Sequence, residues 1–166
     1  MKLLSPLLQR LYDDWEARRT GPFLRRSEFD PLQMRYMLGK MSLIDVHRDP
    51  YRFFYRLHGT EMAQWLGFDL TNKFMDEAPV PDWNQLASKH LVEVATSGLP
   101  SVAWHYDEIV GNQVWNLEAL VLPMSQNGTD LDMLISAVIH HKRDEVSDFA
   151  RRHTKIKPFK KRAAAS

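Results

Sequence analysis

The sequence predicts an α+β domain: one antiparallel sheet of five strands with helices over one face, preceded by an amphipathic helix. Three observations predict it. Strand-like runs fall in two blocks separated by helical segments, an order that favours a single sheet with helices packed on it. Polar, glycine-containing turns join the later strands, as antiparallel connections require. The first segment repeats apolar residues at helical rather than strand spacing.

Leu3, Leu4, Leu7, Leu8, Leu11, Tyr12 and Trp15 recur at three- and four-residue steps, with Gln9, Arg10, Asp13, Asp14 and Glu16 opposite. This is an amphipathic helix over about residues 5–19, with Pro6 suited to a first helical position and Gly21-Pro22 as the stop. Its stripe packs either on the chain's own sheet or on the same helix of a second copy. Asp30, with Pro31 first and Gln33 third, caps a short second helix reaching about Leu38. Residues 41–46 read as a strand, 47–50 as a turn and 51–58 as a second strand, with Phe53, Tyr55 and Leu57 on one face. Thr60 caps a helix over 61–66 that stops at Gly67, and residues 69–74 lead into a loop at Pro79 and Pro81. Asp82 caps the longest internal helix, ending at Gly98. Three strands follow, over 101–110, 113–122 and 130–140, joined by Gly111-Asn112 and Gln126-Asn127-Gly128. On the last, Leu131, Met133, Ile135, Ala137 and Ile139 share the face expected to point inward.

A chain of 166 residues, 44% hydrophobic and 26% charged, fits one globular domain with short extensions. At this length roughly 70% of the unfolded surface can be buried, so no disulfide or metal staple is needed. The absence of cysteine excludes thiol nucleophiles, zinc ribbons, iron–sulfur clusters, thioether-linked haem and a cysteinyl flavin adduct. No apolar run approaches the ~20 residues of a membrane-spanning helix, and no secretory signal is read at the start. A cytoplasmic location is expected. The near-neutral balance hides an asymmetry: residues 151–166 carry +7 and residues 1–150 carry −6. The expected organisation is an N-terminal helix and connector over 1–26, a domain over 27–141 and a mobile basic tail over 142–166.

Leu11-Tyr12-x-x-Trp15 with Arg18, Arg26-Ser27-x-x-Asp30-Pro31, Tyr55-Arg56-Leu57-x-Gly59-Thr60, Leu66-Gly67-x-Asp69-Leu70-Thr71 and Leu122-Pro123-Met124-Ser125-x-Asn127-Gly128 occur in this order over about residues 8–140. Together they resemble the PAS-like family of small alphaproteobacterial proteins. Two departures touch loops only: Leu24 stands in the loop before Arg26 where a proline is expected, and Asn72-Lys73 follows Thr71 where a glycine is more usual. The resemblance implies a sensory or interaction domain, a five-stranded sheet cupped around a small pocket, and frequent dimerisation through the N-terminal helix. It implies no catalytic set.

In such a fold the long helix walls the pocket opposite the sheet. At about 100° per residue, Trp83, Ala87, His90, Leu91 and Val94 share one side of it. His90 among apolar neighbours reads as an axial haem ligand, a hydrogen-bonding ligand contact, or a core-edge imidazole bonded to a carbonyl. Trp104 and Tyr106 share one face of their strand, and Trp115, Leu117, Ala119 and Val121 one face of the next. Trp104, Tyr106, Trp115 and Tyr55 either floor a pocket with their polar tips or are core. Arg56 grips a ligand carboxylate or phosphate, or pairs with an acid such as Asp45 on the neighbouring strand. The histidines lack the helical spacing of a zinc site, and no glycine-rich phosphate cradle or nucleophile elbow is present.

The candidate ligand-binding set is therefore His90, Trp104, Tyr106, Trp115, Tyr55, Arg56, Trp83 and Val94, with no catalytic or metal residue and the cofactor unknown. The expected function is a stand-alone, non-enzymatic PAS-like sensory or regulatory module. It binds a small apolar or aromatic molecule, a partner protein, or both, and signals in trans, with a homodimer through residues 3–19 and no nucleic-acid partner. The alternative is a pocket-free adaptor protein anchored by its basic tail.

Overall fold

The thirteen-residue strand Gln113–Ser125 organises the molecule, because every other layer is built on one of its edges or faces. The computed structural model describes residues 1–30 and 32–153. Within them the helices are α1 Pro6–Arg18, α2 Thr60–Leu66, α3 Pro81–Ser97 and α4 Arg143–His153. The strands are β1 Leu24–Arg25, β2 Met41–His47, β3 Arg52–Leu57, β4 Lys73–Phe74, β5 Ser101–Val110, β6 Gln113–Ser125 and β7 Met133–His140. Single 3₁₀ turns lie at Arg26–Glu28, Arg35–Met37 and Met75–Glu77. None of the described helices is long and apolar enough to cross a membrane.

The sheet runs β4-β3-β2-β7-β6, with β5 and β1 sharing the outer edge of β6. All pairings are antiparallel except β1 with β6, which is parallel at Leu24↔Met124 and Arg25↔Ser125. The expected count of five strands is thus corrected to seven. The two additions are two-residue pieces that no hydrophobic period can announce. The register of β5 on β6 shifts between His105 and Glu108, a bulge at which Asp107 takes φ 55°.

Helices do not lie over one face only. α2 and α3 bury Leu66, Trp83, Leu91, Val94 and Ala95 against Ile44, Phe53, Tyr55, Trp115, Leu117, Val121 and Leu134 on the inner face. On the outer face, Leu8, Leu11 and Trp15 of α1 pack with Met41, Leu43, Leu120, Leu122, Met124, Met133, Ile135 and Ala137. The α1 stripe is therefore spent on the chain's own sheet, and the Trp15 indole N–H donates to the Pro123 carbonyl at 2.9 Å. The β7 face expected to point inward is buried, and its Met133, Ile135 and Ala137 lie beneath α1 rather than against α3. A sheet covered on both sides makes both faces apolar, so alternation cannot say which helix each face meets.

Local rules explain most helix ends. Ser5 caps α1, its Oγ accepting from the Leu8 N–H at 3.4 Å, and Pro6 is the first helical residue. α3 opens at Pro81, one residue before the expected Asp82 cap, and closes on Gly98 at φ 69°. Thr60 is the first residue of α2 and Gly59 its cap, which corrects the expected Thr60 cap. The helix expected from Asp30 to Leu38 is reduced to the turn Arg35–Met37, although Met34 and Met37 are fully buried. Part of the tail expected from residue 142 is helical: Arg143–His153 form α4, whose Phe149 ring lies 5.6 Å from that of Trp104. The rest of the expected mobile tail, residues 154–166, lies outside the described residues.

Gly59 is needed for close approach rather than for its dihedral angles. A Cβ there would sit 2.6 Å from the Gly39 carbonyl oxygen and 2.9 Å from that of Met41. Because both neighbours are backbone, Gly59→Ala should lower stability by about 1–3 kcal/mol, read as a shift of the urea midpoint at unchanged slope.

Candidate functional site

Between α3, α2 and the inner face of the sheet lies a cavity of about 60 Å³. Trp83, Leu86, Ala87, His90 and Leu91 of α3 form one wall. Ser42, Tyr55, His105, Trp115, Leu117, Ala119, Val121, Ser136 and Val138 form the sheet wall, and His58 and Met62 complete the lining. The inward set follows from strand alternation: residues 115, 117, 119 and 121 of β6 share a face, and residues 136 and 138 of β7 share the matching one.

Burial shifts the titratable groups here toward their neutral forms. His58 accepts the Leu70 N–H at its Nδ1, 3.1 Å away, which places its ring proton on Nε2. Burial lowers its pKa below the ordinary histidine value, against the opposing pull of Asp69. His90 is pushed down to about 4, first by burial, with Glu93 opposing and His105 adding to the shift. Its Nε2 is buried without a hydrogen-bond partner. His105 is likewise lowered by burial, with Glu108 opposing. Burial alone raises the Tyr55 hydroxyl well above the ordinary tyrosine value.

Next to the cavity, on the opposite face of β6, Glu118 is fully buried. Its Oε1 accepts from the Leu4 N–H at 2.7 Å and the Trp104 indole at 2.8 Å, and its Oε2 from the Ser5 N–H at 2.8 Å. His141 Nε2 lies 3.6 Å from the same Oε2. Burial by itself would raise the Glu118 pKa, but these donors outweigh it and the net shift is downward. A third cluster borders the site: the Trp65 ring stacks on His140 at 3.7 Å and meets Trp115 edge-on at 6.2 Å.

Residues 3–138 match the family described as PAS domain. The chain belongs to the PAS domain family. Comparisons with curated proteins and with solved structures return no match.

Of the eight residues expected to contact a ligand, this PAS domain brings Tyr55, Trp83, His90 and Trp115 together around the cavity. The other four lie elsewhere. Val94 is fully buried in the core behind the wall. Arg56 is exposed and pairs with Asp45 on β2 at 2.7 Å, the structural alternative weighed for it. Trp104 stands directly across from Glu118 in the β5–β6 register, on the outer face, and Tyr106 is 38% exposed. Their expected place on the pocket floor is corrected for the reason given for β7: both faces of β5 and β6 carry apolar residues, so parity is set by register rather than by pattern.

His58, His105, Ser42 and Ser136 also line the cavity and were not singled out from sequence. The alternation of His105 with Trp104 was a usable signal for that residue, had the opposite parity been chosen. Among the described residues no group of three or more potential ligands is arranged to hold a metal ion. Haem does not fit either. His90 has the donor atom, yet the cavity of about 60 Å³ is several-fold smaller than the ~300–1,000 Å³ of sites for drug-sized ligands.

The protonation states give the PAS domain a directional pH response. In the unfolded chain a histidine takes its proton near pH 6.5, whereas His90 resists until about pH 4. The unfolded state therefore binds more protons in between, and stability is full above pH 6.5 and falls as the pH drops through this window. Glu118 has a lowered pKa, so its contribution is complete above the ordinary carboxylate range and is lost below it. Urea midpoints measured from pH 7.5 to 3.5 should show the first loss beginning near 6.5, partly flattened by His90→Leu. Glu118→Gln should cost about 1.5–3 kcal/mol at pH 7.

Proposed function

We propose that this PAS domain is a non-catalytic sensory or regulatory module of the cytoplasm. It binds a small molecule with a mainly apolar or aromatic body in the cavity between α3 and the sheet, and passes occupancy to a partner protein in trans. The supporting observation is the convergence of Tyr55, Trp83, His90 and Trp115 on one cavity. Two aromatic walls and a few polar tips are the ingredients of a ligand site. The route outward is short. Leu117 and Ala119 line the cavity, and the residue between them, Glu118, holds Leu4, Ser5, Trp104 and His141 on the other face. A displacement of β6 by a ligand is thereby felt at the start of α1 and at the entry to α4.

The adaptor alternative draws on a different feature, an open groove of about 350 Å³ bordered by Leu38, Gly39, Met41, Leu57, His58, Gly59 and Thr60. Leu38 and Leu57 are 52% and 39% exposed, an apolar contact surface for a partner. A homodimer through residues 3–19 would use the side of α1 carrying Arg10, Asp13 and Glu16, since Leu8, Leu11 and Trp15 are committed to the sheet.

Native mass spectrometry of the purified chain, followed by a thermal-shift screen of small-molecule extracts, tests the reading. A ligand at a hundred times its Kd should stabilise the fold by about 2.7 kcal/mol. Ala87→Val, which fills the cavity, should abolish that gain while changing unliganded stability by less than about 1.5 kcal/mol. A Leu38→Glu variant that loses partner capture, together with no ligand-induced shift in the parent chain, would favour the adaptor.

A further inference from the structure

The cavity walls have an unusual balance. They carry six hydrogen-bonding side chains of the serine, tyrosine and histidine types, namely Ser42, Tyr55, His58, His90, His105 and Ser136, and not one Asp, Glu, Lys or Arg. The three histidines are all held below the ordinary histidine value, so they are neutral at pH 7. A charged guest would give up its hydration without meeting an opposite charge, a penalty of several kcal/mol.

A purely apolar guest fails for another reason. His90 Nε2 is a buried polar atom without a partner, and the buried Tyr55 side chain lines the same cavity. Leaving such groups unpaired beside an alkane forfeits the hydrogen bonds that a polar guest recovers. His58 adds a donor, since its Nδ1 is occupied by the Leu70 N–H. Size narrows the choice further. At about 60 Å³ the cavity is several-fold smaller than the ~300–1,000 Å³ of sites for drug-sized ligands.

We propose that the cavity selects a very small, uncharged molecule that both donates and accepts hydrogen bonds, of the primary amide or short-chain alcohol class, recognised through His90 Nε2 and the Tyr55 hydroxyl. The proposal rests on the reading above that this cavity takes a small molecule, and it replaces the mainly apolar or aromatic body with a smaller, hydrogen-bonding one.

Three probes of nearly equal shape separate the alternatives: acetamide, acetate and isobutene. Each is titrated at pH 7 into the full chain labelled with ¹⁵N, with backbone and indole signals of the lining residues followed by NMR. Acetamide should bind about tenfold more tightly than either of the others. His90→Leu and Tyr55→Phe should each weaken acetamide by about 2- to 10-fold while leaving isobutene unchanged or tighter. Urea midpoints of both variants confirm that the fold is retained. Acetate or isobutene binding as tightly as acetamide would overturn the proposed ligand class while leaving a small-molecule site in place. No movement of the lining signals with any probe would overturn the class and the ligand-binding reading together.

Discussion

A single buried carboxylate ties the outer layer of this molecule to its sheet. Glu118 sits in the middle of β6 with no exposed surface, and a charge in that position is tolerated only when donors replace its water. Two backbone N–H groups at the entrance of α1 and the indole of Trp104 do so, with His141 close by. The donors come from the N-terminal arm, from β5 and from the segment leading into α4. No part of that arrangement can shift alone without leaving the charge underpaired, so three distant stretches of sequence are fixed relative to β6 by one side chain. The α1 stripe of Leu8, Leu11 and Trp15 then packs at a position already set by this anchor.

The same strand presents its alternate residues to the cavity. Leu117 and Ala119 face inward while Glu118 faces outward, so the cavity and the charged anchor are separated by the thickness of one backbone. On the neighbouring strand the pattern repeats, with His105 turned to the cavity and Trp104 to the carboxylate. Sheet strands are stiff elements with fixed side-chain parity. A change in what fills the cavity therefore has a mechanical route to the other face, without any need for a long chain of side-chain contacts. The Trp65–His140–Trp115 ring cluster supplies a second such link, from α2 to β7 and β6 at the cavity wall.

Much of this arrangement was legible in the residues. The span of β5 was read as found, α3 and α1 were placed to within one or two residues, and the turns at Gly111 and Gly128 fell where expected. Arg56 paired with Asp45 as a cross-strand partner, a relation that register alone makes available. Half of the expected ligand residues converge because α3 turns Trp83 and His90 to the same side, which helical periodicity dictates. What was not legible has a common cause. Apolar alternation identifies two faces of a strand but not which layer covers each, and here both faces are covered. Trp104 and Tyr106 were placed on the pocket floor on that account, and the inward Met133–Ile135–Ala137 face could not be matched to the helix that covers it. Strands β1 and β4 are too short to leave a period, and the Asp30 cap and Pro31 promised more helix than the buried Met34 and Met37 allow. Glu118 stood out in no motif, because a lone acid in an apolar strand reveals its role only when its donors are brought to it.

The bulge in β5 bears on how these molecules behave in company. A ten-residue strand at the rim of a sheet is an invitation to intermolecular pairing, since its outward N–H and C=O groups can template another chain. Here the ladder is broken between His105 and Glu108, Asp107 adopts a left-handed conformation, and its carboxylate is clasped by the Arg143 guanidinium at 2.8 Å. The kink and the clustered charges deny an incoming strand a straight run of contacts, so the rim is blunted against self-assembly at the very place where the sheet is longest.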